Sequence, residues 1–399
     1  MWESKMDINE IREIRAKTIT YLGIGAIKKM NDIAAELKNS GVNKVIVMTG
    51  KGAYKRTGAW DVVEAALKEN GVQYILYNKV TPNPTDAEVD EAVKTAKDFG
   101  AQAVIPIGGG SAIDAGKTVA VLLMYPGKSA EELMEGKFPA EKAVPIIAIN
   151  LTHGTGSESD RFAVVTVTKN QHKPCIVADC IYPKYAIDDP ALMVMLPINQ
   201  TCFVSVDAVN HVLEAATSKV ASPYTVMLAK ETIRLVGRYL PQAMAHPQDL
   251  TARYYLAYAA LIAGICFDNG LLHFTHALEH PLSAMKPEVI HGQGLGILLP
   301  AVIKQIYPAV PEVVADIFSS VIPGLKGEPQ EAEVAGDRIE AWLKTVGITV
   351  KLTDLGFSEK DLDRLVDLAF TTPSLGVLLS VAPIEATREN VRQIFADSL

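Results

Sequence analysis

The sequence predicts an α/β domain followed by an all-helical domain. The first half alternates short β-branched runs with amphipathic helical stretches, whereas beyond about residue 190 strand-like runs become rare. The chain has 399 residues, which is longer than single hydrophobic cores usually become. We therefore predict an α/β domain at residues 1–195 and an all-α domain at residues 196–399, with the active site in the cleft between them.

The α/β half contains four predicted strands, which are the runs NKVIVMTG, VQYILYN, AQAVIPIGGG and AVPIIAIN. Amphipathic helices separate the early strands, namely TGAWDVVEAALKENG, closed by Gly71, and DAEVDEAVKTAKDFG, closed by Gly100. The strands are almost continuously apolar, as strands are when helices cover both faces of a sheet. This pattern predicts a parallel sheet.

The second half consists of long segments with helical periodicity. They are TCFVSVDAVNHVLEAAT, PYTVMLAKETIRLVGRYL, TARYYLAYAALIAGICF, EAEVAGDRIEAWLKTVG and TRENVRQIFAD. Strands are rare there, so we predict that this half is a bundle of packed helices.

Composition excludes several classes of protein. The net charge of −8 argues against nucleic acid or an anionic membrane as a partner, because both bind clustered Lys and Arg. The first residues lack an apolar signal core, and no uninterrupted apolar run reaches the roughly 20 residues that span a bilayer. The four cysteines form no CxxC pair, which is typical of free thiols in a reducing compartment. We predict a cytoplasmic protein.

The segment AVIPIGGGSAIDAGK runs from a predicted strand through three glycines into a helix. Gly108, Gly109 and Gly110 are expected to permit positive φ and to leave room for an approaching ligand. Ser111 is expected to be the N-cap of the helix, whose free N–H groups and dipole favour an anion. The segment predicts a pyrophosphate site in a Rossmann-like, dinucleotide-binding domain, although a simple turn into a helix is the alternative.

Gly50 ends the first predicted strand and is followed by Lys51, Lys55 and Arg56. A carboxylate at the end of this strand would select NAD by bonding the ribose 2′-hydroxyl, and Gly50 cannot do so. The basic residues can accept a 2′-phosphate, so we predict NADP or tolerance of both coenzymes. A solvated basic helix start is the alternative.

Histidines gather in the stretch FTHALEHPLSAMKPEVIHGQG. His276 and His280 are four residues apart, which places them on one face of a helix, and His291 follows a proline-containing break. Asp207 and His211 form a second polar pair with helical spacing. Asp207, His211, His276 and His291 together offer one carboxylate and three imidazoles, a set that Fe²⁺ or Zn²⁺ accepts. Each histidine taken singly has an ordinary position in a helix as its alternative.

Six motifs, in order, closely resemble the iron-containing (group III) alcohol dehydrogenase family: GGGSAIDAGK, THGTGSE, AIDDPALMVMLP, DAVNH, ASPYT and HALEHPLSAM with HGQG. The resemblance extends from about ITYLGIGA to ATRENV, nearly the whole chain. It implies an N-terminal dinucleotide-binding domain, a C-terminal helical domain and a site between them. It also implies a homodimer or a larger homo-oligomer.

The resemblance assigns roles by position. The family's metal ligands fall on Asp207, His211, His276 and His291, and its histidine implicated in proton transfer falls on His280. Further cofactor contacts fall on Gly109, Gly110, Ser111, Asp114, Thr152, Thr155, Lys173 and Asn83. Gly50 stands where NAD-preferring relatives often carry Asp, which again favours NADP.

The chain departs from the family pattern around THGTGSE, and the departing residues are Leu151, His153, Ser159, Asp160, Arg161 and Phe162. They are expected near the substrate pocket, where Arg161 could hold a carboxylate. Phe267 and Leu272 are expected to line an apolar pocket for a short chain.

We therefore expect a metal-dependent, NAD(P)-linked alcohol dehydrogenase or aldehyde reductase that passes hydride between a short-chain alcohol and the nicotinamide. The cofactors expected are Fe²⁺, with Zn²⁺ as an alternative metal, and NADP or NAD. Three alternatives remain at this point. They are a hydroxy-acid oxidoreductase of the same family that uses Arg161, a lyase resembling dehydroquinate synthase, and a metal-free nucleotide-binding protein.

Overall fold

The computed structural model describes residues 2–7 and 9–399, which form two compact units. The α/β unit comprises Ala16–Leu196 and His246–Leu261. The helical unit comprises Met1–Arg15, Pro197–Ala245 and Ile262–Leu399. Each unit therefore includes one short segment from the other half of the sequence. A single domain boundary at 195/196 stays a prediction.

A six-stranded parallel sheet forms the centre of the α/β unit, in the order β1-β8-β5-β4-β2-β3. Its strands are β1 (Ile19–Leu22), β2 (Lys44–Thr49), β3 (Gln73–Tyr77), β4 (Ala103–Gly108), β5 (Ile147–Asn150) and β8 (Tyr185–Asp188). A small antiparallel pair consists of β6 (Phe162–Val164) and β7 (Cys175–Val177). The four predicted strands are β2 to β5. The sequence reasoning missed β1 and β8. They are four residues long, and so is β5, but β5 lies in the longer apolar run AVPIIAIN.

Helices cover both faces of the sheet. They are α1 (Met30–Asn39), α2 (Ala53–Arg56), α3 (Ala59–Glu69), α4 (Asp86–Phe99), α5 (Gly110–Leu122) and α6 (Ala130–Met134). Val45 and Val47 of β2 belong to a core with residues of α1 and α3. Ile46 and Met48 belong to a second core with residues of α4 and α5. Alternate residues of one strand therefore lie in two cores, which confirms the predicted doubly covered α/β fold.

The order of the strands reverses between β2 and β4. These strands are neighbours, with Thr49 opposite Ile107, whereas β3 and β5 lie on opposite sides of the pair. Ligands of open parallel sheets bind at the carboxyl ends of the strands where the order reverses. Gly50 and the glycines after β4 emerge at this point.

The remaining helices are α7 (Ile198–Thr217), α8 (Pro223–Ala245), α9 (Leu250–Gly270), α10 (Phe274–Met285), α11 (His291–Ile306), α12 (Pro311–Ile317), α13 (Ala332–Thr345), α14 (Leu362–Thr371), α15 (Leu375–Ser380) and α16 (Arg388–Asp397). In the helical unit α7 is buried along its length from Thr201 to Thr217 and packs against α8 and α11. Helix α9 is long and apolar enough to span a membrane by composition, but 61% of that window is buried in the protein. A core helix has the same properties.

Candidate metal centre and glycine loop

Helix α7 supplies the first two predicted metal ligands. Asp207 and His211 are one turn apart on this buried helix, so their side chains share a face. The Oδ1 atom of Asp207 lies 3.4 Å from Nε2 of His211. The His211 ring is held on its other side by Phe267, with the ring centroids 4.5 Å apart and the planes nearly parallel.

Helices α10 and α11 bring the other two. The break after Met285 ends α10, and His291 is the first residue of α11 rather than a loop residue. Nε2 of His276 lies 3.5 Å and Nε2 of His291 lies 3.9 Å from Oδ1 of Asp207. The ligand atoms of these three residues all lie within 4.8 Å of one another. The His211 and His276 ring centroids are 4.5 Å apart.

Two polar atoms that face each other at this centre have unmet bonding capacity, and Nδ1 of His211 is likewise buried without a hydrogen bond to the described residues. Oδ1 of Asp207 and Nε2 of His276 are buried and make no hydrogen bond to any part of the chain that the structure describes. An unpaired buried polar atom costs roughly 1–3 kcal/mol. A divalent cation among these atoms would satisfy both, and a carboxylate with imidazoles is a donor set that Fe²⁺ and Zn²⁺ accept.

Two carboxylates that the sequence reasoning missed hold the imidazoles from behind. Nδ1 of His276 bonds to Oε2 of Glu214, and Nδ1 of His291 bonds to Oε2 of Glu279. Each carboxylate fixes the ring tautomer and directs Nε2 towards Asp207, as carboxylates behind metal-binding histidines commonly do. Helical spacing was the available signal, because Glu214 lies two turns after Asp207 on α7.

Glu214 has a second function at the start of α10. Its Oε1 accepts hydrogen bonds from the backbone N–H groups of His273, at 2.9 Å, and His276, at 3.2 Å. Free N–H groups at a helix start favour a negative charge. One carboxylate therefore positions both the His276 ring and the helix that carries it.

Burial and charge divide the protons of this cluster unequally. Burial raises the pKa of Asp207, but the nearby imidazoles outweigh burial and lower it to about 2. Burial lowers the pKa of His211 to about 3, despite the charge on Asp207. For His276, burial also lowers the pKa, but the charge on Glu214 and the contact with Asp207 raise it to about 9. Positive charge is thus favoured on His276 and disfavoured on His211.

His280 lies one turn after His276 on α10 and is buried. Its ring centroid is 5.8 Å from that of His291. His291 is the most exposed of the four predicted ligands, with 26% of its side chain accessible. The proton-transfer role of His280 stays a prediction.

The glycine loop differs from the expectation in two respects. Helix α5 begins at Gly110 with Gly109 as its N-cap, so Ser111 lies inside the first turn and is not the N-cap. None of the three glycines has a positive φ. The expectation of positive φ was therefore wrong, the expected room for a ligand stays a prediction, and close packing supplies a further reason for the glycines.

Two threonines approach the loop too closely for any side chain. A Cβ at Gly109 would lie 2.7 Å from Cγ2 of Thr152, and one at Gly110 would lie 2.5 Å from Cγ2 of Thr155. A Cβ at Gly108 would meet the side chain of α5 one turn later, at 2.6 Å. The structure thus brings Thr152 and Thr155 to the loop, as the resemblance implies.

The other predicted cofactor residues also form contacts. Nζ of Lys173 donates to Oδ1 of Asn83 at 2.9 Å, and Asn83 has a positive φ of 55°. Asp114 on α5 accepts from Oγ of Ser157 at 2.5 Å and from the backbone N–H of Val164 at 3.0 Å. Asp114 therefore anchors the segment that follows Thr155, and burial raises its pKa.

Around Gly50 the structure leaves the basic side chains accessible. Lys51, Lys55 and Arg56 are exposed, and Gly50 directly follows β2 at the reversal of strand order. A Cβ at Gly50 would lie 3.3 Å from the carbonyl oxygen of Val80. The tolerance of NADP stays a prediction.

The residues that depart from the family pattern mostly serve the α/β unit itself. Nε2 of buried His153 bonds to the Arg253 guanidinium at 2.9 Å, and Leu151 belongs to a hydrophobic core. Asp160 forms a buried ion pair with Lys117 at 2.8 Å. The other departing residues are placed as follows: Ser159 donates to backbone carbonyls, and Phe162 begins β6.

Arg161 already has a carboxylate partner within the chain. One of its guanidinium nitrogens lies 3.1 Å from Oδ1 of Asp179. The hydroxy-acid alternative needs this guanidinium for a substrate carboxylate, so the observed pair counts against that alternative.

Comparison with known proteins identifies the relatives of this chain. The model described as "Iron-containing alcohol dehydrogenase" matches residues 18–190, and the model described as "Fe-containing alcohol dehydrogenase family, C-terminal" matches residues 201–399. The long-chain primary alcohol dehydrogenase AdhA of Thermoanaerobacter ethanolicus is 59% identical over 398 residues, which cover 100% of both chains. The NAD-dependent methanol dehydrogenase of Bacillus methanolicus is 31% identical, over 95% of this chain and 98% of the relative.

Solved structures give the same result. The NADH-dependent butanol dehydrogenase A of Thermotoga maritima superimposes with a TM-score of 0.89 at 31% identity, covering 98% of each chain. The alcohol dehydrogenase of Oenococcus oeni has a TM-score of 0.87 at 28% identity, covering 98% of this chain and 100% of the other.

Proposed function

This chain belongs to the iron-containing alcohol dehydrogenase family, and from that premise we propose that it oxidises long-chain primary alcohols and reduces the matching aldehydes. It is a metal-dependent alcohol dehydrogenase whose cofactors are iron and NAD(H). The choice of long-chain primary alcohols is supported by the relative that is 59% identical over the full length of both chains, because it acts on that class.

The observation that carries the proposed site is the unmet bonding capacity of Asp207. Its Oδ1 atom is buried, makes no hydrogen bond to the described residues and faces three imidazole Nε2 atoms at 3.4 to 3.9 Å. We propose that Asp207, His211, His276 and His291 hold the divalent metal. A metal held there supplies Lewis-acid polarisation of an alcohol oxygen, which lowers the pKa of the hydroxyl.

The protein's own residues prepare the centre for this chemistry. Glu214 and Glu279 accept from Nδ1 of His276 and His291, so the Nε2 atoms of both rings are directed towards the proposed metal position. Phe267 stacks on His211 and excludes water from that side. We propose that substrate approaches from the side of His291, because its side chain is the most exposed of the four. His280, beside His291, is then placed to pass a proton towards solvent.

The glycine loop is the proposed pyrophosphate site. It lies at the reversal of strand order, it begins helix α5, and Thr152 and Thr155 pack directly against it. Gly108, Gly109, Gly110 and Ser111 are the proposed contacts there. Lys173 bonds to Asn83 and is proposed to contact the same dinucleotide, while Asp114 holds the neighbouring segment in place.

A rate panel tests the proposed substrate class. The iron-loaded enzyme is assayed with ethanol, butanol, octanol and dodecanol, using NAD and NADP separately. We expect kcat/KM to rise with chain length, because each buried methylene contributes about 0.8 kcal/mol. Asp207→Asn is the control, since it keeps the shape of the side chain and loses the charge that holds the metal. A fall in kcat/KM beyond ethanol would contradict the long-chain assignment, and activity in Asp207→Asn would contradict the metal site.

We also infer a cytoplasmic location and a homo-oligomer. The four cysteines are free thiols, which suits a reducing compartment. Light scattering on the purified enzyme tests the oligomeric state, and fractionation of the source cells tests the location.

A further inference from the structure

A second group of buried carboxyls lies in the α/β unit, and the chemistry proposed above does not use it. Glu158 and Asp188 are both 0% exposed. Neither carboxyl oxygen of Glu158 makes a hydrogen bond to the residues that the structure describes, and the same is true of Oδ2 of Asp188. An ionised carboxylate in such a place is costly, so a proton is expected on one of the two.

The available hydrogen-bond donors decide which carboxyl keeps the proton. Asp188 accepts from Nδ2 of Asn150 at 2.9 Å, which favours its anion. Lys117 is the cation near Glu158, but its ammonium already donates to Oδ1 of Asp160, to the Asp160 carbonyl and to the Phe162 carbonyl. A lysine has only three protons to donate, so Glu158 receives none of them.

Burial and the two neighbouring carboxylates also favour a proton on Glu158. Burial has the largest effect and raises the pKa of Glu158 well above its ordinary value. The charges of Asp188 and Asp160 raise it further, while the charge of Lys117 opposes them.

One amide group connects this pair to the glycine loop. While Nδ2 of Asn150 donates to Asp188, its Oδ1 accepts from the backbone N–H of Thr152 at 3.0 Å and from the Thr152 hydroxyl at 3.2 Å. The Thr152 side chain in turn packs against Gly109 without space for a Cβ. Asn150 and Thr152 thus connect Asp188 to the glycine loop.

We propose that Glu158 is a positioning residue that must remain a protonated carboxylic acid for the glycine loop to bind the dinucleotide tightly. Loss of its proton at alkaline pH places two negative charges together in a buried space. Their repulsion displaces Asn150 and Thr152 and adds negative charge beneath an anion site. This inference rests on the proposed function, in which the glycine loop holds the pyrophosphate.

A stability measurement tests the protonation without any dinucleotide. A carboxyl that is protonated when folded and ionised when unfolded makes the unfolding constant rise up to tenfold per pH unit, starting near the unfolded pKa of about 4.3. Glu158→Gln replaces the carboxyl with an amide that does not ionise. In urea unfolding, the free energy of unfolding of the variant should therefore increase relative to that of the wild type as pH rises. Glu69→Gln is the matched control, since Glu69 is exposed, and it should follow the wild type.

A binding measurement tests the coupling to the loop. The dissociation constants of NADH and NADPH are measured by fluorescence on the iron-loaded enzyme between about pH 6 and about pH 10. For the wild type we expect the affinity to fall tenfold or more as the pH becomes alkaline, and we call this fall the alkaline limb. Glu158→Gln should bind like the wild type at low pH and should lack the alkaline limb. Asp188→Asn serves as a second variant, and its limb should be much smaller, because an ionised Glu158 then has no Asp188 charge to repel.

The outcomes separate this proposal from the proposed function. A limb that persists in Glu158→Gln overturns the proposal, and so does a loss of affinity that is equal at every pH, which would indicate a merely structural role. If the wild type binds neither dinucleotide, the proposed function fails and the coupling falls with it. In that case the unfolding data still decide whether Glu158 carries a proton.

Discussion

At the scale of single residues, the role of a polar side chain depends on which neighbour its other polar atoms contact. The Nε2 atoms of His276 and His291 face Asp207 because Glu214 and Glu279 hold the opposite ring nitrogens. One guanidinium nitrogen of Arg161 lies 3.1 Å from Oδ1 of Asp179, a contact that counts against a role for Arg161 in holding a substrate carboxylate. Residue type and spacing cannot supply this information.

Glu214→Gln should weaken metal binding without removing a ligand. The amide loses the charge that orients His276, and loss of such a partner typically costs 10- to 100-fold in metal affinity. Competition with a chelator, with metal content as the readout, measures the effect. Glu231→Gln is the control, because Glu231 pairs with Arg234 on an accessible part of α8. Equal affinities in the two variants would contradict the role of Glu214.

Gly50→Asp should shift the coenzyme preference towards NAD(H). A carboxylate after β2 bonds the ribose 2′-hydroxyl and repels a 2′-phosphate, so the ratio of kcat/KM for NADH over NADPH should rise about tenfold or more. The new Cβ lies 3.3 Å from the Val80 carbonyl, so the loop must shift slightly. Gly50→Ala makes the same shift without the charge. If alanine changes the ratio as much as aspartate does, the charge argument is wrong.

At the scale of elements, helix packing places the ligands in three dimensions. Helix α11 begins at His291, and the next residue, Gly292, touches α7: a Cβ there would lie 2.0 Å from the Phe203 carbonyl oxygen. The close approach of α7 and α11 is therefore what places His291 within 3.9 Å of Asp207. Close packing also determines the glycine loop, because Thr152 and Thr155 leave no space for a Cβ at Gly109 and Gly110.

Gly292→Ala should separate α11 from α7 and so lower metal affinity as well as stability. Overpacking of this kind usually costs about 1–3 kcal/mol, and contact with backbone leaves little room for relaxation. Thermal unfolding and iron content measure the two effects. Gly376→Ala on α15 is the matched control, because a Cβ there meets nothing within 4 Å. A variant of Gly292 with normal iron content would show that the contact does not position His291.

At the scale of the whole molecule, the metal is expected to contribute to stability as well as to chemistry. The four proposed ligands lie on α7, α10 and α11, so a bound ion connects α7 with two helices that come much later in the sequence. A ligand that binds only the folded state stabilises it by about 4 kcal/mol when its concentration is 1,000 times the dissociation constant.

Removal of the metal should therefore lower Tm, and iron or zinc should restore it. Calorimetry of the enzyme before and after chelation measures the change. Asp207→Asn provides the comparison, because chelation should leave its Tm unchanged. A wild-type Tm that does not respond to chelation would contradict the site, since Asp207 and His276 would then have satisfied their buried atoms by other means.

The sequence by itself determined the chain's two-part architecture, four of its six sheet strands and the residues proposed to hold the metal. It could do so because helical and strand periodicity are local, because Asp207 and His211 form a local pattern, and because the family motifs around His276 and His291 can be recognised in the sequence. Tertiary structure alone decided what lies behind and between those residues. Glu214 and Glu279 behind the imidazoles, the threonines against the glycines, and the unpaired carboxyls of Glu158 and Asp188 all depend on contacts between segments distant in the chain. Such contacts leave no period in the sequence, because packing between elements and the loss of water from buried groups arise only when the chain is folded.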